Sequence, residues 1–217
     1  GKRTAIYNKE NGKLMSNSVL CSLKDSENNL WFGTYLGNIS HYNKQSGEFK
    51  TIELEKGKLL DIRTFYEDQE KNIWIGTHKG IYVFSLSKKK VVKHYNTLNC
   101  QLPENLVRSI AQDDKGRFWI GTFGGGIGVY TPQMQLIKKF NQYEGFCSNT
   151  INSIYLSKSK QVWVATGEGL VCFPTSDSFD YQIFQREEGL PNTHIRAITE
   201  DENSNIWVST NTGISCY

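Results

Sequence analysis

The sequence predicts an all-β chain: a β-propeller of about five four-stranded antiparallel blades, forming a closed ring or an arc of a larger propeller. Three observations lead there. The five tryptophans, Trp31, Trp74, Trp119, Trp163 and Trp207, are separated by 43, 45, 44 and 44 residues, and a period of about 40–45 residues is what one four-stranded blade consumes. Other columns keep the same register. Threonine stands three residues after each tryptophan (Thr34, Thr77, Thr122, Thr166, Thr210) and glycine six after (Gly37, Gly80, Gly125, Gly169, Gly213). A β-branched aliphatic stands twelve before (Val19, Ile62, Val107, Ile151, Ile195) and a small residue ten before (Cys21, Thr64, Ser109, Ser153, Ala197). Finally, each repeat divides into four short segments of strand character separated by turn residues, with no helical periodicity.

In chain order, Arg3 to Asn8 resembles an outer strand comparable with Phe49 to Leu54 or Val92 to Tyr95, so residues 1–13 are assigned to one. Repeats follow at about 14–56, 57–101, 102–145, 146–189 and 190–217, the last stopping in its third strand. The repeat at 102–145 illustrates the rest: strands are expected at Leu106 to Gln112, Arg117 to Thr122, Ile127 to Thr131 and Leu136 to Asn141. If the N-terminal strand pairs beside the last three strands, a ring closes and both sheet edges disappear. An arc would instead leave edges that favour oligomerisation.

Turn chemistry supports these elements. Asp25, Asp68, Asp113 and Asp201 stand six residues before their tryptophans, with Ser157 in the fourth repeat, and such side chains accept hydrogen bonds from backbone N–H groups two residues on. The glycine after the second strand suits a turn needing positive φ; the first and third repeats carry one extra residue there. The tryptophans, flanked by apolar residues, are read as a packing column between blades. Their alternative use is as sugar-stacking platforms.

Composition narrows the function. With 38% apolar and 12% aromatic residues the chain is globular rather than disordered. No apolar run approaches a membrane span, and the N-terminus lacks a signal-type apolar stretch, so membrane contact is expected only through segments outside this chain. A net charge of +3 with scattered basic residues argues against nucleic acid. The Lys88-Lys89-Lys90 run reads as a solvated turn. Five cysteines without a C-x-x-C spacing suggest neither a zinc site nor a disulfide scaffold, and His41, His78, His94 and His194 occupy different repeat positions, so no metal set emerges. No cofactor motif is present, no nucleophile motif appears, and no catalytic residue is assigned.

Taken together, the columns resemble the two-component regulator propeller repeat. The resemblance rests on Leu190-Pro191-Asn192, on Ile195 to Asp201, and on Asn205 to Ile214, and it covers essentially the whole chain. The third repeat matches best, through Val107-Arg108-Ser109-Ile110, Asp113, Gly116 and Trp119 to Thr122. The fourth departs most, with Ser157 for the aspartate, Lys160 for a glycine and Ala165 for the glycine after the tryptophan; the first has Ser22 at an apolar position. The family's repeats fill periplasmic sensor regions of hybrid two-component systems in glycan-degrading gut bacteria. The resemblance therefore implies a periplasmic ligand sensor, part of an inner-membrane protein whose kinase lies outside this chain. An oligosaccharide or glycan is the implied ligand, and a homodimer is expected of the parent.

A ligand is expected where outer-to-inner loops and second-to-third-strand loops share one face. The first loop set offers Asn17, Asn105, Asn149, Thr193 and His194, with Arg63, Arg108 and Arg196 one residue into the inner strands. The second offers Tyr35, Leu36, His78, Lys79, Phe123, Glu168 and Asn211. Amides, guanidinium groups and aromatic faces suit polyhydroxylated or acidic sugars. The competing reading has these arginines pairing with nearby carboxylates or lining a hydrated channel. Three function classes stay open: a ligand-sensing propeller, a structural or dimerisation scaffold, and a glycan-active enzyme. The last would need an acid and base that the repeated aspartates, on the opposite face, do not supply.

Overall fold

The computed structural model describes residues 5–174 and 178–217. The chain forms two compact units, Gly1–His94 and Tyr95–Tyr217. The first contains two four-stranded sheets: β1 (Val19–Lys24), β2 (Leu30–Thr34), β3 (Ile39–Tyr42) and β4 (Phe49–Ile52), then β5 (Ile62–Glu67), β6 (Asn72–Thr77), β7 (Gly80–Ser85) and β8 (Lys90–Tyr95). The second contains β9 (Val107–Gln112), β10 (Phe118–Thr122), β11 (Ile127–Tyr130) and β12 (Leu136–Phe140); a 3-10 turn, Gln142–Glu144; and β13 (Ile151–Leu156), β14 (Val162–Thr166), β15 (Leu170–Phe173) and β16 (Gln182–Phe184). It ends in a three-stranded sheet, β17 (Ile195–Glu200), β18 (Ile206–Thr210) and β19 (Ile214–Cys216). In every sheet the strands lie side by side in chain order, the meander of a propeller blade. The expected strands of the third repeat agree to within one residue at each end.

One expected element differs. Arg3 and Thr4 lie outside the described residues, and residues 5–13 contain a turn but no strand. Tyr7 instead packs its ring on Phe49 of β4, with centroids 4.8 Å apart. The segment still ends as an outer strand would. Asn8 N–H donates to Asn11 Oδ1, as Asn96 N–H does to Asn99 Oδ1 after β8.

The repeat columns acquire physical roles. Trp31, Trp74, Trp119 and Trp163 are buried, and β2 and β10 carry their indoles toward the following sheet of the same unit: Trp31 meets Phe84 at 5.5 Å and Trp119 meets Phe173 at 4.9 Å, both edge-on. Trp207 is 37% exposed. The turn aspartate holds the tryptophan as well as the turn. Asp113 accepts from the backbone N–H groups of Lys115 and Arg117, from Arg117 Nε at 2.7 Å and from Trp119 Nε1 at 2.9 Å. Asp25, Asp68 and Asp201 take the corresponding indole N–H at 2.8, 2.7 and 2.9 Å. In the fourth repeat Ser157 caps the turn, and the indole of Trp163 reaches Gln161 Oε1 at 3.3 Å.

The threonine column closes the loop after the second strand. Each hydroxyl donates to the carbonyl at the loop's far end: Asn38, Gly80, Gly126, Gly169 and Gly213, at 2.8–3.0 Å. The glycine column is less uniform than expected. Gly80 and Gly169 have positive φ, whereas in the two repeats with an extra residue Asn38 and Gly126 adopt it in place of Gly37 and Gly125, and Gly213 does not adopt it. The added residue shifts the turn by one position. Two residues after the tryptophan, Gly121 lies so close to the next inner strand that a Cβ would meet Ile151 Cγ2 at 2.5 Å. Ala165 occupies that place in the fourth repeat, fully buried. The first inner strand is the most exposed, with Val19 43% and Leu20 39% accessible, and Ser22 also lies at the surface.

Candidate functional site

The two loop sets come together within each unit. In the first, Tyr35 N–H donates to Ser18 O, and Asn38 Nδ2 donates to Lys58 O. In the second, the N–H groups of Gly124 and Gly126 both donate to Asn149 O at 2.9 Å. The loops after β2 and β10 are thus each fastened to the outer-to-inner loop leading into the following sheet, which brings candidate residues together within each unit.

In the first unit the centre is Asp61, buried and one residue before β5. Its carboxylate accepts from Leu36 N–H at 3.0 Å and from Arg63 Nη2 at 2.9 Å, while its own N–H donates to His78 Nδ1 at 3.2 Å. The guanidinium of Arg63 also lies 5.8 Å from the ring of Tyr35, which is 46% exposed. Tyr35, Arg63 and His78 therefore form one cluster around a carboxylate.

In the second unit Arg108 lies over the exposed ring of Phe123 at 4.2 Å, close enough for a cation–π contact. Its Nη1 donates to Asn152 Oδ1 at 2.7 Å, and Asn152 Nδ2 donates to Ile195 O at 2.7 Å and lies 3.4 Å from His194 Nε2. Arg196 Nε donates to Asn211 Oδ1 at 2.7 Å. Glu168 is exposed on its loop. A guanidinium carries five donors in a planar fork, so the Asn152 bond is compatible with recognition of a sugar carboxylate or a hydroxyl pair.

The three asparagines of the first loop set play a different part. Asn17 Oδ1 accepts from Lys9 N–H, Asn105 Oδ1 from Thr97 N–H and Asn149 Oδ1 from Gln142 N–H, at 2.8–2.9 Å. In one repeat column, three amide oxygens tie the start of the outer-to-inner loop to its end. Asp61 and Asn152 are the residues that sequence reasoning missed. Asn152 stands in the column of Arg63, Arg108 and Arg196, so the alignment contains its signal; Asp61 aligns with Ser18, Leu106, Thr150 and His194, which share no chemistry.

Four turn aspartates bind tryptophan indoles, as described above, rather than facing one another as an acid–base pair would. Among the described residues no group of three or more histidine, cysteine, aspartate or glutamate side chains is arranged to hold a metal ion. Burial pushes the Cys21 thiol up to about 12 and the Cys172 thiol to about 11, so neither is an activated nucleophile. Among the described residues no helix is long and apolar enough to cross a membrane.

Comparison with known proteins agrees with the repeat columns. The family described as Two component regulator propeller matches residues 13–36, 58–79, 101–124 and 189–212. The repeat left unmatched is the fourth, the one with Ser157, Lys160 and Ala165. Among solved structures, the extracellular domain of a putative hybrid two component system from B. thetaiotaomicron is 72% identical over 100% of this chain, with a TM-score of 0.94. A second such domain from the same organism is 22% identical over 93% of the chain, with a TM-score of 0.77. The chain spans 29% of the length of each. Virginiamycin B lyase from Staphylococcus aureus is 15% identical, with a TM-score of 0.72 over 94% of this chain and 72% of its own; that likeness concerns the fold alone. No curated protein matches the sequence. By its repeats, the chain belongs to the two component regulator propeller family.

Proposed function

We propose that this chain is a ligand-sensing segment of the periplasmic region of a hybrid two-component sensor. In this reading it detects an oligosaccharide and, through the parent homodimer, relays that event to a histidine kinase. The observation that carries the reading is 72% identity, along the full chain, to part of the extracellular domain of a putative hybrid two component system. The Arg108–Phe123 and Arg63–Tyr35 pairs support the ligand class, because each sets an exposed ring beside a guanidinium. A sugar's C–H face suits the first and its carboxylate or hydroxyls the second. The function proposed is binding, not catalysis.

Calorimetric titration with a panel of neutral and acidic oligosaccharides tests this. Saturable heat from one glycan, reduced by Arg108→Ala and by Phe123→Ala, is the expected result. No heat from a broad panel, together with unchanged signalling by the Arg108→Ala parent, would exclude this chain as the ligand site. The Arg108–Asn152 bond favours a second reading, in which the arginine column only braces neighbouring inner strands of a scaffold. In that case Arg108→Ala lowers stability and leaves signalling by the parent intact.

A further inference from the structure

Away from the loop face, the first unit contains a cleft of about 720 Å³ between its two sheets. Its inner wall is made by Trp31, Ile52, Leu54 and Phe84, and its outer wall by Leu86 and Val91. Lys50, Lys89 and Lys90 stand at the rim against Glu27 and Glu53, leaving the opening net positive.

The second unit has the same groove in the same relation to its tryptophan, and there the chain fills it. Phe179 lies 6.1 Å from Trp119 and 5.8 Å from Phe140, and Tyr181 lies 5.3 Å from Phe146 and 5.4 Å from Phe173. Arg117 sits over Phe179 at 5.3 Å. What is left is a recess of about 250 Å³ whose lining includes Asp180 together with Lys138 and Lys139. The lysines correspond by register: Lys50 lies opposite His41, the partner of Trp31, and Lys138 lies opposite Val129, the partner of Trp119. The difference is one of connection length. Residues 174–181 join β15 to β16 and supply the two rings, whereas residues 86–89 join β7 to β8 and stop short.

We propose that the cleft of the first unit is a docking site for a peptide segment of a partner protein in which two aromatic residues flank a carboxylate. The filled groove supplies the template. One aromatic ring meets the tryptophan edge-on as Phe179 does, the other packs beside it on the apolar wall as Tyr181 does, and an acidic residue shares the recess with the lysine that the register places at the rim. Lys89 and Lys90 strengthen the charge match in the first unit. This inference is independent of the glycan reading and concerns a different surface.

A fluorescently labelled peptide of the sequence Ser-Phe-Asp-Tyr-Gln-Ile-Phe, that of residues 178–184, tests it by anisotropy with the intact chain. Saturable binding is expected. It weakens by about tenfold or more when Lys50, Lys89 and Lys90 are changed together to glutamate, or when the peptide carries asparagine for aspartate. Val91→Trp, which fills the cleft from its outer wall, abolishes it. The lysines are exposed, so the charge reversal keeps the fold even if Val91→Trp does not. Absence of saturable binding overturns the proposal, as does binding indifferent to the lysine reversal. Equal affinity for 4-hydroxyphenylacetate would overturn it in favour of a small aromatic acid.

Discussion

The groove beside Trp31 and the groove beside Trp119 are built alike and finished differently. In both, an indole clasped by a turn aspartate meets a phenylalanine of the following sheet. Yet one groove is an open cleft of about 720 Å³, and the other retains about 250 Å³ once Phe179 and Tyr181 are in place. The repeated columns specify how sheets pack against each other. The connection between third and fourth strands, free of that constraint, decides what the rim presents. Repetition therefore secures the scaffold and leaves its surface to vary.

The largest expected effect tests the shared part. Trp119→Ala and Trp31→Ala each remove a buried indole and should cost about 3–5 kcal/mol in urea unfolding. The Trp119 change should be the more costly, since it also strips the support of Phe179. Equal costs would mean that the plug adds nothing to the third repeat. Next, Phe179→Ala should cost about 2 kcal/mol, less than a core truncation because the ring is only half-buried, and should make the second unit bind the peptide probe. Third, Asp113→Ala should cost about 2 kcal/mol, because it leaves a buried indole N–H without its acceptor, while Ser157→Ala should cost less than about 1 kcal/mol. Similar losses at both would show the indole bond to be unimportant.

The smallest effect concerns pH. Hydrogen bonds from Lys58 first, and then from the Tyr82 hydroxyl, hold the Glu55 carboxyl down at about 2. A depressed carboxylate stabilises the fold above its ordinary value of 4.5, and that contribution disappears as pH falls from there toward 2. Glu55→Gln should flatten the acid limb of stability for the first unit, which NMR of resolved amides can follow, and should leave the second unit unchanged. The Glu55 side chain is partly exposed and its partner Lys58 mostly so, which lets solvent screen the pair and keeps the change small.

Much of the fold was legible because a repeated blade samples the same physical constraint five times. The alignment placed the strands, the packing role of the tryptophans and the turn role of Asp113. Within each unit, loops that it paired are hydrogen-bonded to each other. Roles that depend on a partner in space were not visible. Asn17, Asn105 and Asn149 looked like ligand-facing amides and are loop ties. The threonine column was recognised without its purpose, the hydroxyl bond across the loop. Asp61 and Asn152 were missed because each acts through neighbours distant in sequence: Leu36 and His78 for the first, Arg108 and Ile195 for the second. Strand character at residues 5–8 was overread from local β pattern, since a ladder also needs a neighbour in register.

By itself the sequence determined the blade period, the strand order within each sheet and the residues that face the next sheet. Those are properties of local pattern, set by alternation, turn residues and a fixed repeat length. Only the tertiary structure decided how those faces are completed. It placed Phe179 against Trp119 and Tyr181 against Phe146 and Phe173, left Trp31 beside an open cleft, set Arg108 over Phe123 and tied Arg63 to Asp61. Contacts of that kind join residues outside any repeat column. Which of them form depends on the length of a connection and the volume it can fill.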